Sequence, residues 1–187
     1  MRIIGGEAKG RTLHFPSRSK ERPTSDFLRE ALFNLLGPLQ NQTFLDLFAG
    51  SGSVGLEAAS RGAQVVYFVE KNKQLIEVIK KNIQTCCLDQ NCRIIAGDID
   101  FGLHDLFRKK NEFDIVFADP PYNRELVEAT LKSLSKYQVF RKDGIIVIQH
   151  SIKETFSELV DNIYQTDQRK YGENALTFLK WSRNDTG

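Results

Sequence analysis

Hydrophobic residues along this chain form short apolar runs that alternate with segments in which apolar positions recur every three to four residues. The short runs predict β-strands over residues 43–47, 64–69, 93–96, 114–118 and 144–149. The periodic segments predict helices over residues 54–60, 73–85, 103–109, 125–137 and 154–161. This alternation indicates an α/β fold, and strands whose apolar residues follow one another instead of alternating with polar ones indicate a parallel sheet covered by helices on both faces.

Both ends of the chain depart from this rhythm. Residues 162–169 and 175–181 predict two more strands, joined as a hairpin at the edge of the sheet. Near the other end, glycines between short β-prone pieces over residues 2–15 predict a small hairpin or an extended arm. A helix follows, with Thr24 or Ser25 as its N-cap and Gly37-Pro38 as its stop. We expect residues 1–40 to pack as an extension on a main domain of residues 41–187.

Composition places the chain among ordinary globular proteins. It has 187 residues, of which 41% are hydrophobic and 27% are charged. No apolar run approaches the ~18 residues of a membrane span, and the first residues lack the apolar core of a signal peptide. Cys86, Cys87 and Cys92 match no common zinc pattern, so we predict no metal site. We therefore expect a cytoplasmic protein without a membrane partner.

Charge is distributed unevenly along the chain. The net charge is +2, but residues 1–25 carry six basic and two acidic side chains. A basic segment ahead of a nearly neutral body is typical of a surface that binds a polyanion, although a solvated basic face has the same pattern. The candidate contacts with a nucleic acid are Arg2, Lys9, Arg11, Arg22 and Arg29.

A glycine-rich turn joins the first predicted strand to the next helix. The turn residues Phe48, Ala49, Gly50, Ser51 and Gly52 allow a sharp bend and let a ligand approach the main chain. With Gly55 they match the dinucleotide fingerprint, which by itself is a weak signal. Glu70 ends the second strand, where a carboxylate can bind both ribose hydroxyls of an adenosine cofactor.

Two further carboxylates favour one such cofactor. Asp46 would be repelled by the pyrophosphate of a dinucleotide, whereas it would attract the ammonium and sulfonium groups of S-adenosylmethionine. Asp98 follows the third strand, where it can accept a hydrogen bond from the adenine amino group. Glu70 or Asp98 taken singly is equally compatible with a carboxylate that caps the following helix. Carboxylates at the ends of three successive strands, however, predict S-adenosylmethionine at this edge of the sheet.

The strongest signal is the tetrapeptide Asp119-Pro120-Pro121-Tyr122, which directly follows a buried strand. Its two prolines fix φ and stiffen the turn. We expect the Asp119 carboxylate and the Pro120 carbonyl to accept the two hydrogens of an amine on a nucleobase, with its lone pair directed at an incoming methyl group. Asp119 or a water molecule would take the proton, and Tyr122 would stack on the base.

These motifs together resemble those of the class I methyltransferases that act on amines. The closer resemblance is to the bacterial RsmD family, and blocks such as Arg2-Ile3-Ile4-Gly5-Gly6, Arg22-Pro23-Thr24 and Arg29-Glu30-Ala31-Leu32-Phe33-Asn34 carry it. The resemblance spans nearly the whole chain, whereas Asp-Pro-Pro-Tyr alone is shared with DNA and protein methylases.

This resemblance has specific implications. Nothing in the sequence demands a dimer, so we expect a monomer. The resemblance implies a Rossmann-like sheet of seven strands, of which the last is antiparallel. It implies methylation of the N2 amine of guanine 966 in 16S ribosomal RNA, either naked or within an assembling small subunit. The glycine turn with Asp46, Glu70 and Asp98 would then bind S-adenosylmethionine, and residues 119–122 would hold a flipped guanine.

Three other functions fit parts of the sequence. A DNA adenine or cytosine-N4 methylase would use the same tetrapeptide, but the chain has no room for a domain that recognises DNA. An NAD-binding oxidoreductase would use the glycine fingerprint, but Asp46 disfavours it. A non-catalytic RNA-binding module would not need the intact tetrapeptide at residues 119–122.

Overall fold

The computed structural model describes residues 1–15, 25–121 and 125–182. The chain folds into two compact units, residues 1–98 and residues 99–187. The expected boundary between residues 40 and 41 falls inside the first of these units.

Strands and helices alternate through the first unit as the sequence predicts. Its elements are α1 (Asp26–Leu36), β1 (Thr43–Leu47), α2 (Ser53–Ser60), β2 (Val65–Glu70), α3 (Lys73–Cys86) and β3 (Cys92–Ala96). The strands are all parallel and lie in the order β3-β2-β1. Every residue of β1 is buried, which confirms that this strand is covered on both faces.

Local signals explain the bounds of α1. The Ser25 hydroxyl accepts a hydrogen bond from the backbone N–H of Leu28, so Ser25 is the N-cap. Gly37 ends the helix at a φ of 73°, and its N–H donates to the carbonyl of Phe33.

Residues 1–15, which we call the arm, form a small antiparallel hairpin. Arg2 and Thr12 form a bridge, and the N–H of Ile3 donates to the carbonyl of Arg11 at 3.0 Å. Of the two alternatives that the sequence predicts, a hairpin or an extended arm, this pairing confirms the hairpin.

The arm packs on α2, a helix whose eight residues are all buried. The Glu57 carboxylate accepts hydrogen bonds from the N–H groups of Ile4 and Gly5, at 2.8 and 2.7 Å. The Ser60 hydroxyl donates to the carbonyl of Gly5 at 2.6 Å. Gly6 has a φ of 78°, and a Cβ atom there would lie 1.7 Å from the carbonyl oxygen of Ser60. Only glycine therefore fits at this contact.

The second unit begins with two helix–strand pairs and ends in antiparallel strands. Its elements are α4 (Ile99–Arg108), β4 (Phe113–Ala118), α5 (Leu126–Lys136), β5 (Phe140–Ser151), β6 (Leu159–Val160), β7 (Ile163–Tyr171) and β8 (Asn174–Trp181). β4 and β5 are parallel, whereas β8 pairs antiparallel with β5 and with β7, and β6 pairs antiparallel with β7. The predicted antiparallel last strand is confirmed.

One predicted helix is wrong. Residues 154–161 contain β6, which pairs with β7, and no helix. The Ser157 hydroxyl donates to the carbonyl of Leu159 and accepts from its N–H, and such local bonds compete with a helix. Because of β6, the described residues hold eight strands where seven were predicted.

Candidate functional site

The chain bends sharply between β1 and α2, at the predicted glycine turn. Phe48, Gly50 and Gly52 all have positive φ angles, of 59°, 58° and 79°. Glycine adopts such angles without strain, whereas Phe48 is held in a conformation that costs about 1–3 kcal/mol. Strain of this kind persists where the surroundings fix a ligand-binding loop.

Glu70, at the end of β2, supports this turn directly. One carboxylate oxygen accepts from the N–H of Gly50 and the other from the N–H of Asn72, both at 2.8 Å. The side chain is buried. A carboxylate has about four acceptor positions, so these two bonds leave room for hydroxyl groups of a ligand.

Asp46 and Asp98 complete the carboxylates expected at this edge. Asp46 is buried, and its Oδ2 atom accepts from the N–H of Gly55 at 2.8 Å. Asp98 follows β3 and is exposed. Because β1, β2 and β3 are parallel neighbours, their carboxyl ends share one edge of the sheet. The structure thus brings Asp46, Glu70 and Asp98 to the same edge as the glycine turn.

These residues fit an adenosine cofactor that carries positive charge. The turn presents main-chain atoms without side chains at Gly50 and Gly52, and a Cβ atom at Gly52 would already lie 3.3 Å from Ile79. The carboxylates of Asp46, Glu70 and Asp98 at the strand ends attract an ammonium or a sulfonium and repel a pyrophosphate. S-adenosylmethionine matches this donor set better than a dinucleotide.

A second polar cluster lies at the carboxyl ends of β4 and β5. Asp119 directly follows β4 and is half-buried, Pro120 is buried and Pro121 is exposed. The Nε2 atom of Gln149, on β5, donates to the Oδ2 atom of Asp119 at 2.9 Å. We call residues 119–121 the proline corner. Tyr122 lies outside the described residues.

The predicted RNA contacts differ in their surroundings. Arg2, Lys9 and Arg11 are exposed on the arm, as a phosphate contact requires. Arg22 lies outside the part of the chain that the structure describes. Arg29 is fully buried on α1, and its guanidinium donates to the carbonyl of Arg2 at 2.6 Å.

The buried charge of Arg29 has identifiable partners. Burial lowers the pKa of Arg29, while the carboxylates of Asp26 and Glu57 act in the opposite direction. Its Nη2 atom lies 2.9 Å from Asp26 Oδ1. These contacts join α1 to the arm, so the structure gives Arg29 a role inside the first unit.

Sequence reasoning missed three polar residues that organise these sites. Gln149 holds Asp119, and Glu57 holds the arm. Asn82 is fully buried on α3, where its side chain accepts from the N–H of His14 and donates to the carbonyl of Ser51. A signal for Gln149 was present, because it follows the apolar run 145–148, just as Asp119 follows the apolar run 115–118. Nothing local marks Glu57 or Asn82.

The described part of the chain contains neither a cluster of metal-ligating side chains nor a helix that could span a membrane. Across residues 1–15, 25–121 and 125–182, no group of three or more His, Cys, Asp or Glu side chains is arranged to hold a metal ion. In those same ranges, no helix is long and apolar enough to cross a bilayer. Cys86 and Cys92 are buried, and burial raises the pKa of Cys92 to about 12.

Three features define a Rossmann-like, cofactor-binding α/β protein. They are a glycine turn between strand and helix, carboxylates at the ends of parallel strands, and an antiparallel last strand. Residues 1–180 match the family model described as Conserved hypothetical protein 95, and the chain belongs to this family.

Named relatives agree with this assignment. A "Putative rRNA methyltransferase YlbH" of Bacillus subtilis is 34% identical over 96% of this chain and 98% of its own length. The "Ribosomal RNA small subunit methyltransferase D" of Haemophilus influenzae is 38% identical over 80% of this chain and 78% of its own length. Among solved structures, the "Putative methyltransferase yhhF from Escherichia coli" has a TM-score of 0.84 and 29% identity, covering 98% of this chain and 99% of that one. The predicted resemblance to the RsmD family is confirmed.

Proposed function

We propose that this chain transfers a methyl group from S-adenosylmethionine to the exocyclic N2 amine of a guanine in 16S ribosomal RNA. The observation that carries the proposal is the proline corner, where a half-buried Asp119 is held by Gln149 at the end of a buried strand. The names of the relatives support ribosomal RNA as the substrate. The resemblance to the RsmD family favours guanine 966 as the target.

Residues of the first unit would hold the cofactor. When bound, S-adenosylmethionine supplies a methyl group on a positively charged sulfur. In the proposal, Glu70 binds the ribose hydroxyls through the acceptor positions that Gly50 and Asn72 leave. Asp46 attracts the cationic end, Asp98 accepts from the adenine amino group, and residues 48–52 line the site with main-chain atoms.

Residues of the proline corner would hold the amine. An amine attached to an aromatic base is a poor nucleophile, because its lone pair is delocalised into the ring. Asp119 and the Pro120 carbonyl would accept its two hydrogens, which would take the lone pair out of conjugation with the ring and direct it at the incoming methyl group. Asp119 or water would then take the proton, and Tyr122 would stack on the flipped base.

Binding of the RNA would involve the arm. Arg2, Lys9 and Arg11 are exposed there, and such side chains provide affinity for phosphates without reading the base sequence. Arg22 and Arg29 belong to the same predicted set, and Arg29 would act by holding the arm in place. The partner is 16S ribosomal RNA, naked or in an assembling subunit, and we expect a cytoplasmic monomer.

The decisive experiment compares ribosomal RNA from cells with and without this protein. Nucleoside mass spectrometry of 16S ribosomal RNA should show one N2-methylguanosine fewer when the gene is deleted, and mapping should identify the position. The native gene should restore the modification, whereas Asp119→Asn should not. An exposed aspartate provides the matched control, so Asp89→Asn should restore it fully.

A second arm uses the purified chain with methyl-labelled cofactor. Asp119→Asn should bind S-adenosylmethionine as tightly as the native protein in calorimetry, yet transfer no methyl group. Methylation of adenine or cytosine in DNA, with none in ribosomal RNA, would instead support the DNA methylase alternative. Binding of NAD without S-adenosylmethionine would contradict both.

A further inference from the structure

Gln149 lies beside the proline corner, on the strand next to β4. β4 and β5 are parallel, and their register pairs Ala118 with Ile148, so Asp119 and Gln149 are the next residues on adjacent strands. Gln149 is only 3% exposed. Its Nε2 atom lies 2.9 Å from Asp119 Oδ2. The amide therefore belongs to the same cluster as the carboxylate that would bind the substrate amine.

This hydrogen bond determines which way the Gln149 amide faces. A carboxylate only accepts hydrogen bonds, so the amide nitrogen, and not its oxygen, must face Asp119. The amide is a neutral donor, so it holds the carboxylate in place and leaves its negative charge intact. A lysine or an arginine at this position would instead neutralise that charge. Asp119 is thus oriented by Gln149 and remains a strong acceptor for an amine.

The other end of the same amide is unsatisfied. The Oε1 atom of Gln149 is buried and has no hydrogen-bond partner among the residues that the structure describes. Buried amide oxygens are almost always paired, because an unpaired acceptor loses its hydration without compensation. This acceptor lies on the same planar group that contacts Asp119, so a donor on the molecule held by Asp119 is a suitable partner.

We propose that Gln149 is a positioning and specificity-determining residue, whose amide nitrogen orients Asp119 and whose amide oxygen accepts the ring N1–H of guanine. This inference rests on the proposed function. Guanine carries an N–H donor on the ring next to its amine, whereas adenine and cytosine carry a ring nitrogen with a lone pair there. An acceptor beside Asp119 therefore pairs with guanine and repels the other two bases.

The first test measures methyl transfer to 16S ribosomal RNA from cells that lack this protein. Gln149→Leu removes both ends of the amide, and turnover should fall about 10- to 100-fold, the usual cost of a hydrogen bond to a charged group. Calorimetry should show unchanged affinity for S-adenosylmethionine, which also reports that the variant is folded. Gln168→Leu is the matched control, because its Nε2 atom also donates to a neighbouring strand, at Thr177 Oγ1.

The second test measures base selectivity, which a purely structural role would not change. Ligated RNA carries either guanine or 2-aminopurine at the methylated position, and 2-aminopurine keeps the amine but lacks the ring N1–H. The native protein should prefer guanine by about tenfold or more, since a site built to bond a donor rejects an analogue without it. Gln149→Leu should lose most of this preference. Gln149→Glu keeps an acceptor oxygen but loses the donor, so it should be slow yet retain the preference.

The outcomes separate this inference from the function on which it rests. Suppose that the native protein methylates ribosomal RNA, but that Gln149→Leu keeps its turnover within twofold of native or keeps the preference for guanine. Either result would overturn the role of Gln149 and leave the proposed function standing. No transfer to ribosomal RNA by the native protein would overturn both.

Discussion

Glu57→Gln should release the arm from α2 and destabilise the first unit. The Glu57 carboxylate is fully buried and accepts three hydrogen bonds, from the N–H groups of Ile4 and Gly5 and from Arg61 Nε. Oε2 receives the bond from Ile4, and Oε1 receives the other two. An amide replaces one of these acceptors by an NH₂ donor, which then faces another donor.

The size of this destabilisation follows from the orientation of the introduced amide that loses fewer hydrogen bonds, which is the substituted side chain's more favourable orientation. With the NH₂ group at the Oε2 position, the N–H of Ile4 loses its partner, while the bonds from Gly5 and Arg61 persist without the negative charge. A hydrogen bond to a charged group contributes about 1.5–3 kcal/mol, so we expect a loss of about 2–3 kcal/mol in the free energy of unfolding. Glu57→Ala leaves Arg61 unpaired as well and should cost about 3–5 kcal/mol.

Urea unfolding measures this loss, and hydrogen exchange shows where it acts. In Glu57→Gln, backbone amides of residues 1–15 should exchange faster than in the native protein, with the largest change at Ile4 and Gly5. Glu77→Gln is the matched control, because Glu77 forms an exposed pair with Lys80 and should change nothing measurable. A Glu57→Gln midpoint equal to that of Glu77→Gln would refute the view that this carboxylate fastens the arm.

Three further predictions follow. Gly55→Ala places a Cβ atom 2.3 Å from an aromatic ring of β2, so thermal unfolding should reveal a loss of about 1–3 kcal/mol, and a stability equal to native would contradict this packing. Burial lowers the pKa of His150, so the unfolded state takes up a proton first and the free energy of unfolding should fall as the pH drops below about 6.5. Urea unfolding at pH 7 and 5.5 measures this fall. The fall should be smaller in His150→Asn than in the native protein, whereas the control His104→Asn should match the native protein. The double variant Lys9→Glu/Arg11→Glu should bind RNA more weakly than the native protein, and its affinity should depend less steeply on the salt concentration. An unchanged slope of affinity against salt would exclude the arm as the contact.

Much of the fold could be predicted because the sequence signals are local. The bounds of β1 were predicted without error, since a short, mostly apolar run followed by a glycine turn admits little else. Ser25 and Gly37 marked the ends of α1 in the same way. Residues 154–161 were mispredicted because the side-chain bonds of Ser157 favour a turn that apolar periodicity does not register.

The sequence predicts residues of the candidate site but not the contacts that they make in the structure. Glu70 was expected to bind a ligand, and the structure adds that it accepts from the N–H of Gly50. A variant such as Glu70→Ala would thus disturb the glycine turn as well as any ribose contact. Loss of cofactor binding in that variant would therefore not measure the ribose contact alone.

Buried polar residues were the hardest to predict, and they share one physical feature. Glu57 on α2 bonds to Ile4 and Gly5, which lie 53 and 52 positions earlier in the chain. Asn82 on α3 bonds to His14, 68 positions earlier, and Gln149 on β5 bonds to Asp119, 30 positions earlier. Hydrophobic periodicity assigns a polar side chain to the solvent, because it contains no information on what another part of the chain will cover. A polar residue becomes buried only when a distant segment supplies its hydrogen bonds. The residues that join segments are therefore those that local patterns assign to the surface, and here they hold the arm and the proline corner in place.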